Sequence, residues 1–306
     1  MTVLTPPPPV ATAPPPAPPT PAPAPPPARP GLALAGAAVC VLAAVLIGFA
    51  AGLTIVGHLQ HTRDQQVAYD ELRKQLALGT APVGQRTYDN KPLAMGSPVA
   101  LLRIPALGLN EVVAEGTTSG VLMSGPGHRR DTAMPGQPGT SVIMGRQWGY
   151  GSPFGAVHKL PPGAEIELTT GQGRAVYRVL DVRHPGDKLP ATLGQGQGRL
   201  TLITASGAPY TPSGLLRVDA ELTSPIQPAP ARSGVISPAE EALKGESGAW
   251  LAVFLWCQAL FIASLLAVWA HRVWGRWQTW ISAVPVLTAL GLAVASAATR
   301  LLPNLL

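Results

Sequence analysis

Few residues of this chain could carry out covalent or metal chemistry. There are two cysteines, Cys40 and Cys257, and both lie inside long apolar runs. A reactive thiolate needs a partly exposed, electropositive setting. We therefore expect no thiol nucleophile, disulfide or thiolate metal site in the polar middle of the chain. No two His, Asp or Glu positions show metal-ligand spacing, so we expect neither a metal nor another cofactor.

Three apolar runs are each long enough to cross a bilayer as a helix, which takes about 20 residues. These predicted transmembrane helices cover 31–57, 249–270 and 279–299. The short loop 271–278 holds Arg272 and Arg276, so we expect it on the cytoplasmic side. Counting spans from that loop predicts a plasma-membrane protein with residues 58–247 outside the cell and the N-terminal tail in the cytoplasm.

The positive charge is mostly a feature of the membrane flanks. The formal net charge is +6, yet residues 58–247 hold 18 Lys or Arg against 16 Asp or Glu. The other basic residues all flank predicted spans and are Arg29, Arg272, Arg276 and Arg300. Nucleic-acid binding requires a basic patch on a folded face, so we expect no nucleic-acid partner.

Composition divides the rest of the chain into a tail, two linkers and a strand-rich domain. Residues 1–30 contain 15 prolines and are predicted to be a disordered cytoplasmic tail. Helical spacing predicts a juxtamembrane helix and linker at 58–97, and prolines mark a second linker at 224–248. Between them, 98–223 is predicted to be all-β, a closed barrel or sandwich of short strands, with one short helix at 152–160. The predicted strands are 99–104, 111–114, 141–145, 164–169, 174–183, 200–204 and 215–222.

A succession of short motifs, none of them specific alone, runs through 98–223. They are LRIPALGL at 102–109, VAEGT at 113–117, GPGH at 125–128, PGQPGT at 135–140, Phe154, Leu160, Gly163 and YRV at 177–179. In this order they resemble the sortase family, the membrane-anchored cysteine transpeptidases of Gram-positive bacteria, and most closely the actinobacterial class E type. The resemblance covers under half of the chain and implies a sortase-type β-barrel.

The resemblance also implies three catalytic positions. In that family a cysteine thiolate attacks a sorting signal of the Leu-Pro-x-Thr-Gly type, a histidine handles the leaving-group proton and an arginine stabilises the oxyanion. This chain has Ala205 where the cysteine is expected and Arg146 where the histidine is expected. The arginine position falls on Leu215 by register, with Arg217 two residues later on the same face as the alternative.

These replacements remove the family's reaction. Ala205 cannot form an acyl intermediate, and Arg146 stays protonated at physiological pH, so it cannot act as a base. We therefore expect a catalytically inactive relative that binds sorting-signal peptides or surface proteins, or scaffolds an active sortase or an envelope complex. Two alternatives stay open: an active transpeptidase or hydrolase using other residues, and a membrane component whose last two spans carry the role.

The neighbourhood of Ala205 allows two further roles. Ser206 could supply a hydroxyl with His128 or His184 as base, although a one-residue shift turns a strand side chain to the other face. Arg146 could instead grip a carboxylate in a peptide groove, or fill the vacated pocket and reach solvent. The candidate groove residues are Arg146, His128, Thr204, Ser206 and Arg217.

Overall fold

The computed structural model describes residues 48–87, 89–208, 211–230 and 235–306. The predicted tail at 1–30 and most of the predicted span at 31–57 lie outside these residues. Within them the chain is helical from 48 to 78, where a π-helical stretch, Gly52–Val56, leads into α1, Gly57–Leu78. Gly79 ends α1 with φ of 68°, a left-handed conformation that glycine adopts without a Cβ clash.

Eight strands close into a barrel, which confirms the predicted all-β architecture. The strands are β1 Pro98–Ile104, β2 Leu109–Glu115, β3 Gly127–His128, β4 Gly139–Met144, β5 Glu165–Thr170, β6 Gly173–Arg183, β7 Gly198–Ala208 and β8 Thr211–Leu222. Their order around the barrel is β1-β2-β3-β4-β7-β8-β6-β5. The β2–β3 and β4–β7 pairs are parallel and the others antiparallel.

Side-chain alternation places the main core inside this barrel. On β5, Ile166 and Leu168 are fully buried while Glu165 is exposed, the pattern of a strand with one face inward. Tyr177 on β6 is buried as well, and its hydroxyl accepts a 2.7 Å hydrogen bond from the Gly136 amide. Burial raises the pKa of Tyr177 to about 12, so the phenol stays neutral.

Short helical turns lie between and after the strands in the chain. A six-residue helix, α2 at Ser119–Ser124, follows β2, and three 3₁₀ turns lie at Pro105–Leu107, Val157–Lys159 and Pro238–Glu240. Neither α2 nor the two-residue β3 is visible in the sequence pattern, because both are too short to show a period. Thr118 caps α2 by accepting a hydrogen bond from the Val121 amide.

Two long apolar helices complete the described chain. They are α3, Ala249–Val273, and α4, Arg276–Leu301, which pack side by side and are joined by a tight turn. Among the described residues these two are long and apolar enough to cross a membrane. Their hairpin returns the chain to the barrel, since α4 ends beside α2. Pro285 lies inside α4 without ending it.

Candidate functional site

A second apolar cluster lies on the outer wall of the barrel, on the opposite face from the main core. Its floor is the parallel β4–β7 pair, in which Met144 is aligned with Ile203. The buried members are Leu122, Val142, Met144, Ile203, Ala205 and Leu305, with Leu215, Ala242 and Leu243 packed against them. We call this cluster, together with Arg146 beside it, the outer-wall site.

Register brings Arg146 and Ala205 to the same rung of the site. The Gly145 amide donates to the Ile203 carbonyl at 3.0 Å, which continues the β4–β7 ladder past the end of β4. Two residues beyond the Met144–Ile203 pair, Arg146 therefore lies alongside Ala205. The two residues predicted to occupy the histidine and cysteine positions are thus neighbours in the fold.

The Arg146 guanidinium is almost completely buried, with 1% of the residue exposed, so it does not reach solvent. Its Nη2 donates to Ser119 Oγ at 2.7 Å, and its Nη1 donates to the backbone oxygen of Leu306 at 2.7 Å. The Tyr150 ring lies beneath it, 5.2 Å from the guanidinium carbon to the ring centroid, a cation–π arrangement.

Burial lowers the pKa of Arg146 to about 10, while the fields of Tyr150 and Glu246 act in the opposite direction. At neutral pH the side chain therefore remains a cation. Its Nε is buried with no hydrogen-bond partner among the described residues. A buried cation held by hydroxyl and backbone oxygens is suited to gripping an acceptor, and it cannot take up a proton.

The segment that follows α4, residues 302–306, fills the outer-wall site. Leu305 belongs to the same apolar cluster as Ala205 and is fully buried. Asn304 is also fully buried, and its Nδ2 donates to the backbone oxygens of Thr117 at 2.8 Å and Glu241 at 3.0 Å. A segment of the chain itself therefore contributes to the apolar cluster that contains Ala205.

Two residues of β8 are candidates for the position at which the resemblance implies an arginine. Leu215 is the register partner of Ala205, and Arg217 is the register partner of Ile203. Since 215 and 217 share one face of the strand, Arg217 lies on the outer wall one rung away from Ala205. Arg217 is half-buried.

The other sequence candidates do not gather around Ala205. Thr204 and Ser206 lie on the opposite face of β7, the face of the core residue Leu202. The Oγ1 atom of Thr204 is buried without a hydrogen-bond partner among the described residues.

His128 lies in β3 and is fully buried, with Nδ1 2.9 Å from Glu115 Oε2 and Nε2 2.9 Å from the Ala133 carbonyl. His184 is on an exposed turn, with Nδ1 3.8 Å from Asp187. Among the described residues, neither ring is bonded to Ser206, so the structure does not assemble a serine–histidine pair there.

Several residues of the site gave no sequence signal. Ser119 belongs to a helix too short to predict, and Tyr150 lies in a loop with φ of 44°. Residues 302–306 begin shortly after the predicted span at 279–299, and their composition does not indicate that they fold back onto a barrel wall. A longer apolar–polar pattern would have been needed to find them.

Comparison with known proteins identifies the barrel. A family model described as the sortase domain matches residues 102–222. The chain is similar to the solved structure of sortase E from Streptomyces avermitilis, with 34% identity over 43% of this chain and 91% of that one and a TM-score of 0.38. No curated protein matches.

Two other solved structures extend this comparison. Sortase E1 from Streptomyces coelicolor, with a tripeptide in its active site, is 26% identical over 42% of this chain and 88% of that one, with a TM-score of 0.38. The sortase D5 transpeptidase from Clostridium perfringens is 23% identical over 53% of this chain and 99% of that one, with a TM-score of 0.44.

Proposed function

We propose that this protein, whose residues 102–222 match the sortase domain model, binds peptide segments at the outer-wall site without cleaving them. The observation that carries the proposal is the pairing of Met144 with Ile203, continued by the bond from the Gly145 amide to the Ile203 carbonyl, from which we infer that Arg146 lies alongside Ala205. At those positions sortase chemistry, as the resemblance implies it, requires a proton carrier and a thiol.

The chemistry of the two side chains supports inactivity. A methyl group has no lone pair, so no acyl intermediate forms on Ala205. The Arg146 cation is protonated well above neutral pH, with a pKa of about 10, so it cannot serve as a base. An arginine cation with five donors can, however, hold the oxygen atoms of a bound peptide.

We further propose that the barrel is held outside the plasma membrane by the predicted span at 31–57 and by α3 and α4. The basic residues of the turn between α3 and α4 favour a cytoplasmic turn. With that orientation the barrel and residues 302–306 share the outer side, where surface proteins and their sorting signals are exposed. Such a protein could present or scaffold substrates for an active sortase.

A hydrolase that uses Ser206 is the second candidate function. What weighs against it is the orientation of Ser206 toward the inner face of the wall, whereas Ala205 faces the outer-wall site. Activity of the parent chain on a sorting peptide is the observation that would favour it.

The test is peptide cleavage by the full chain in detergent or nanodiscs, using a quenched fluorescent peptide of the Leu-Pro-x-Thr-Gly type. We expect no cleavage by the parent chain. We expect measurable cleavage when Arg146→His and Ala205→Cys are combined in a chain lacking residues 302–306, because the substitutions restore a thiol and a proton carrier and the deletion clears the site. The single variant Arg146→His in the same deleted chain is the matched control. Cleavage by the parent chain would overturn the proposal.

A further inference from the structure

Residues 302–306 are bound at the outer-wall site as a peptide ligand would be. Three of them, Asn304, Leu305 and Leu306, are buried, although they belong to a short segment beyond the end of α4. Fixing each residue of such a segment costs about 1–2 kcal/mol of backbone entropy. Burial of this segment therefore requires specific contacts.

The backbone and the amide side chain of the segment supply those contacts. The Asn304 amide donates to the Lys244 carbonyl at 2.9 Å, and the Gln147 amide donates to the Leu305 carbonyl at 3.0 Å. Beside these bonds, Arg146 holds the Leu306 backbone oxygen. These polar groups of the segment are thus matched by groups of the loop after β4 and the stretch before α3, whereas Asn304 Oδ1 is buried without a hydrogen-bond partner among the described residues.

The side chains of the segment contact the same outer-wall site. Leu305 enters the apolar cluster floored by β4 and β7, and the Asn304 amide bridges the backbones of Thr117 and Glu241. An apolar pocket flanked by backbone acceptors and one buried cation thus holds a turn, in which the Leu306 amide donates to the Pro303 carbonyl at 3.1 Å. Specificity of this kind differs from nonspecific burial, because the Asn304 and Gln147 donors and the Arg146 Nη1 atom all have acceptors in position.

We propose that residues 302–306 are an internal ligand of the outer-wall site, so that a peptide from another molecule must displace them to bind. The proposal rests on the proposed function, since it names the occupant of the same peptide site. It makes access to the site depend on release of a segment attached directly to the end of α4.

The experiment measures how fast a water-soluble maleimide modifies single thiols in the full chain carrying Cys40→Ser and Cys257→Ser. One variant adds Leu305→Cys, a second adds Ala205→Cys, and a control adds Ser213→Cys at an exposed position of the β7–β8 hairpin. We expect the first two thiols to react at least tenfold more slowly than the control. Modification of the Leu305→Cys thiol at the rate of the control would overturn the proposal.

The second arm of the experiment releases or removes residues 302–306. Asn304→Ala removes two hydrogen bonds, and deletion of 302–306 removes the whole segment; each should speed modification of the Ala205→Cys thiol at least tenfold and leave the Ser213→Cys rate unchanged. An unchanged Ala205→Cys rate in the deleted chain would also overturn the proposal.

A synthetic peptide with the sequence of residues 302–306, carrying a fluorophore, separates this proposal from the proposed function. We expect it to bind the deleted chain at least tenfold more tightly than the parent chain, and equal affinity for both would count against an internal ligand. Cleavage of a sorting peptide by the parent chain would instead end the proposed function while leaving protection of the Leu305→Cys thiol as support for the internal ligand.

Discussion

The two buried arginines of the barrel, Arg146 and Arg183, are held in different ways. Arg183 on β6 is ion-paired with Asp219, a carboxylate that also accepts a hydrogen bond from Thr201 at 2.7 Å. Arg146 has no Asp or Glu carboxylate bonded to it among the described residues, and its acceptors are Ser119 and the main-chain oxygen of Leu306. One of those acceptors, the Leu306 oxygen, belongs to a separate segment 160 positions away along the chain.

The difference indicates that the Arg183 cation stabilises the barrel, whereas the Arg146 cation is available for binding. Asp219 and Thr201 are fixed in the β-sheet, so the Arg183 cation keeps its partners as long as the barrel is folded. The Leu306 partner of Arg146 is present only while residues 302–306 occupy the site. A buried cation whose acceptor can leave is a place where another acceptor can bind.

Arg183→Met provides the largest expected effect. It leaves the Asp219 carboxylate buried without its cation, which typically costs about 3–5 kcal/mol of unfolding free energy. Chemical denaturation of the full chain, followed by barrel fluorescence, measures the loss. The control is Arg174→Met at an exposed site, where we expect less than about 0.5 kcal/mol. A loss at Arg183 no larger than this control would show that its ion pair does not stabilise the barrel.

Leu305→Ala should act locally. Removing a buried leucine side chain costs about 2–5 kcal/mol, and here that loss favours release of the 302–306 segment. Hydrogen exchange at the Gln147 amide, which donates to the Leu305 carbonyl, should therefore accelerate while exchange in β5 and β6 stays unchanged. Leu305→Met conserves volume and is the control, with a cost below about 1.5 kcal/mol. Equal acceleration in β5 and β6 would mean that the segment belongs to the cooperative core.

Arg146→Met should cost far less than the same substitution at Arg183, within about 1 kcal/mol of the parent in either direction. The substitution removes a desolvated cation without leaving a buried Asp or Glu carboxylate alone. The same denaturation experiment measures it, with Arg146→Lys as the variant that retains charge and loses the planar donor set. A loss of about 3–5 kcal/mol of unfolding free energy for Arg146→Met would contradict the proposed difference between the two arginines.

The smallest effect is a pH dependence that belongs to Arg146 alone. Because its folded-state pKa is lowered from 12.5 to about 10, the protonated form is disfavoured by folding, and this penalty is relieved as pH rises through 10. Between pH 8 and pH 10.5 the parent should gain about 0.8 kcal/mol relative to Arg146→Met. Parallel stability curves for the two proteins would contradict burial of the guanidinium.

The sequence was sufficient to predict the barrel because period-two alternation and turn residues are local signals. Predicted strands such as 164–169 and 174–183 coincide closely with β5 and β6. The two-residue β3 was not predictable, since it pairs only through residues distant in sequence.

The candidate site was predictable only in part. The sequence indicated which side chains stand at 146 and 205, and strand alternation indicated that Ser206 faces away from 205. Burial of Arg146 and its bond to Leu306 depend on contacts across 160 positions, which no local pattern encodes. For the same reason the sequence could not indicate that His128 is bonded to Glu115 inside the fold.

The most direct test of the central claim measures binding and cleavage of one peptide in one sample. A sorting peptide is incubated with the full chain carrying Leu305→Ala, and the bound fraction is isolated. The mass of the bound peptide is then measured by mass spectrometry. We predict that the peptide is retained and recovered at its original mass, with binding weakened at least tenfold by Arg146→Met. Recovery of cleaved peptide, or of none at all, would contradict it.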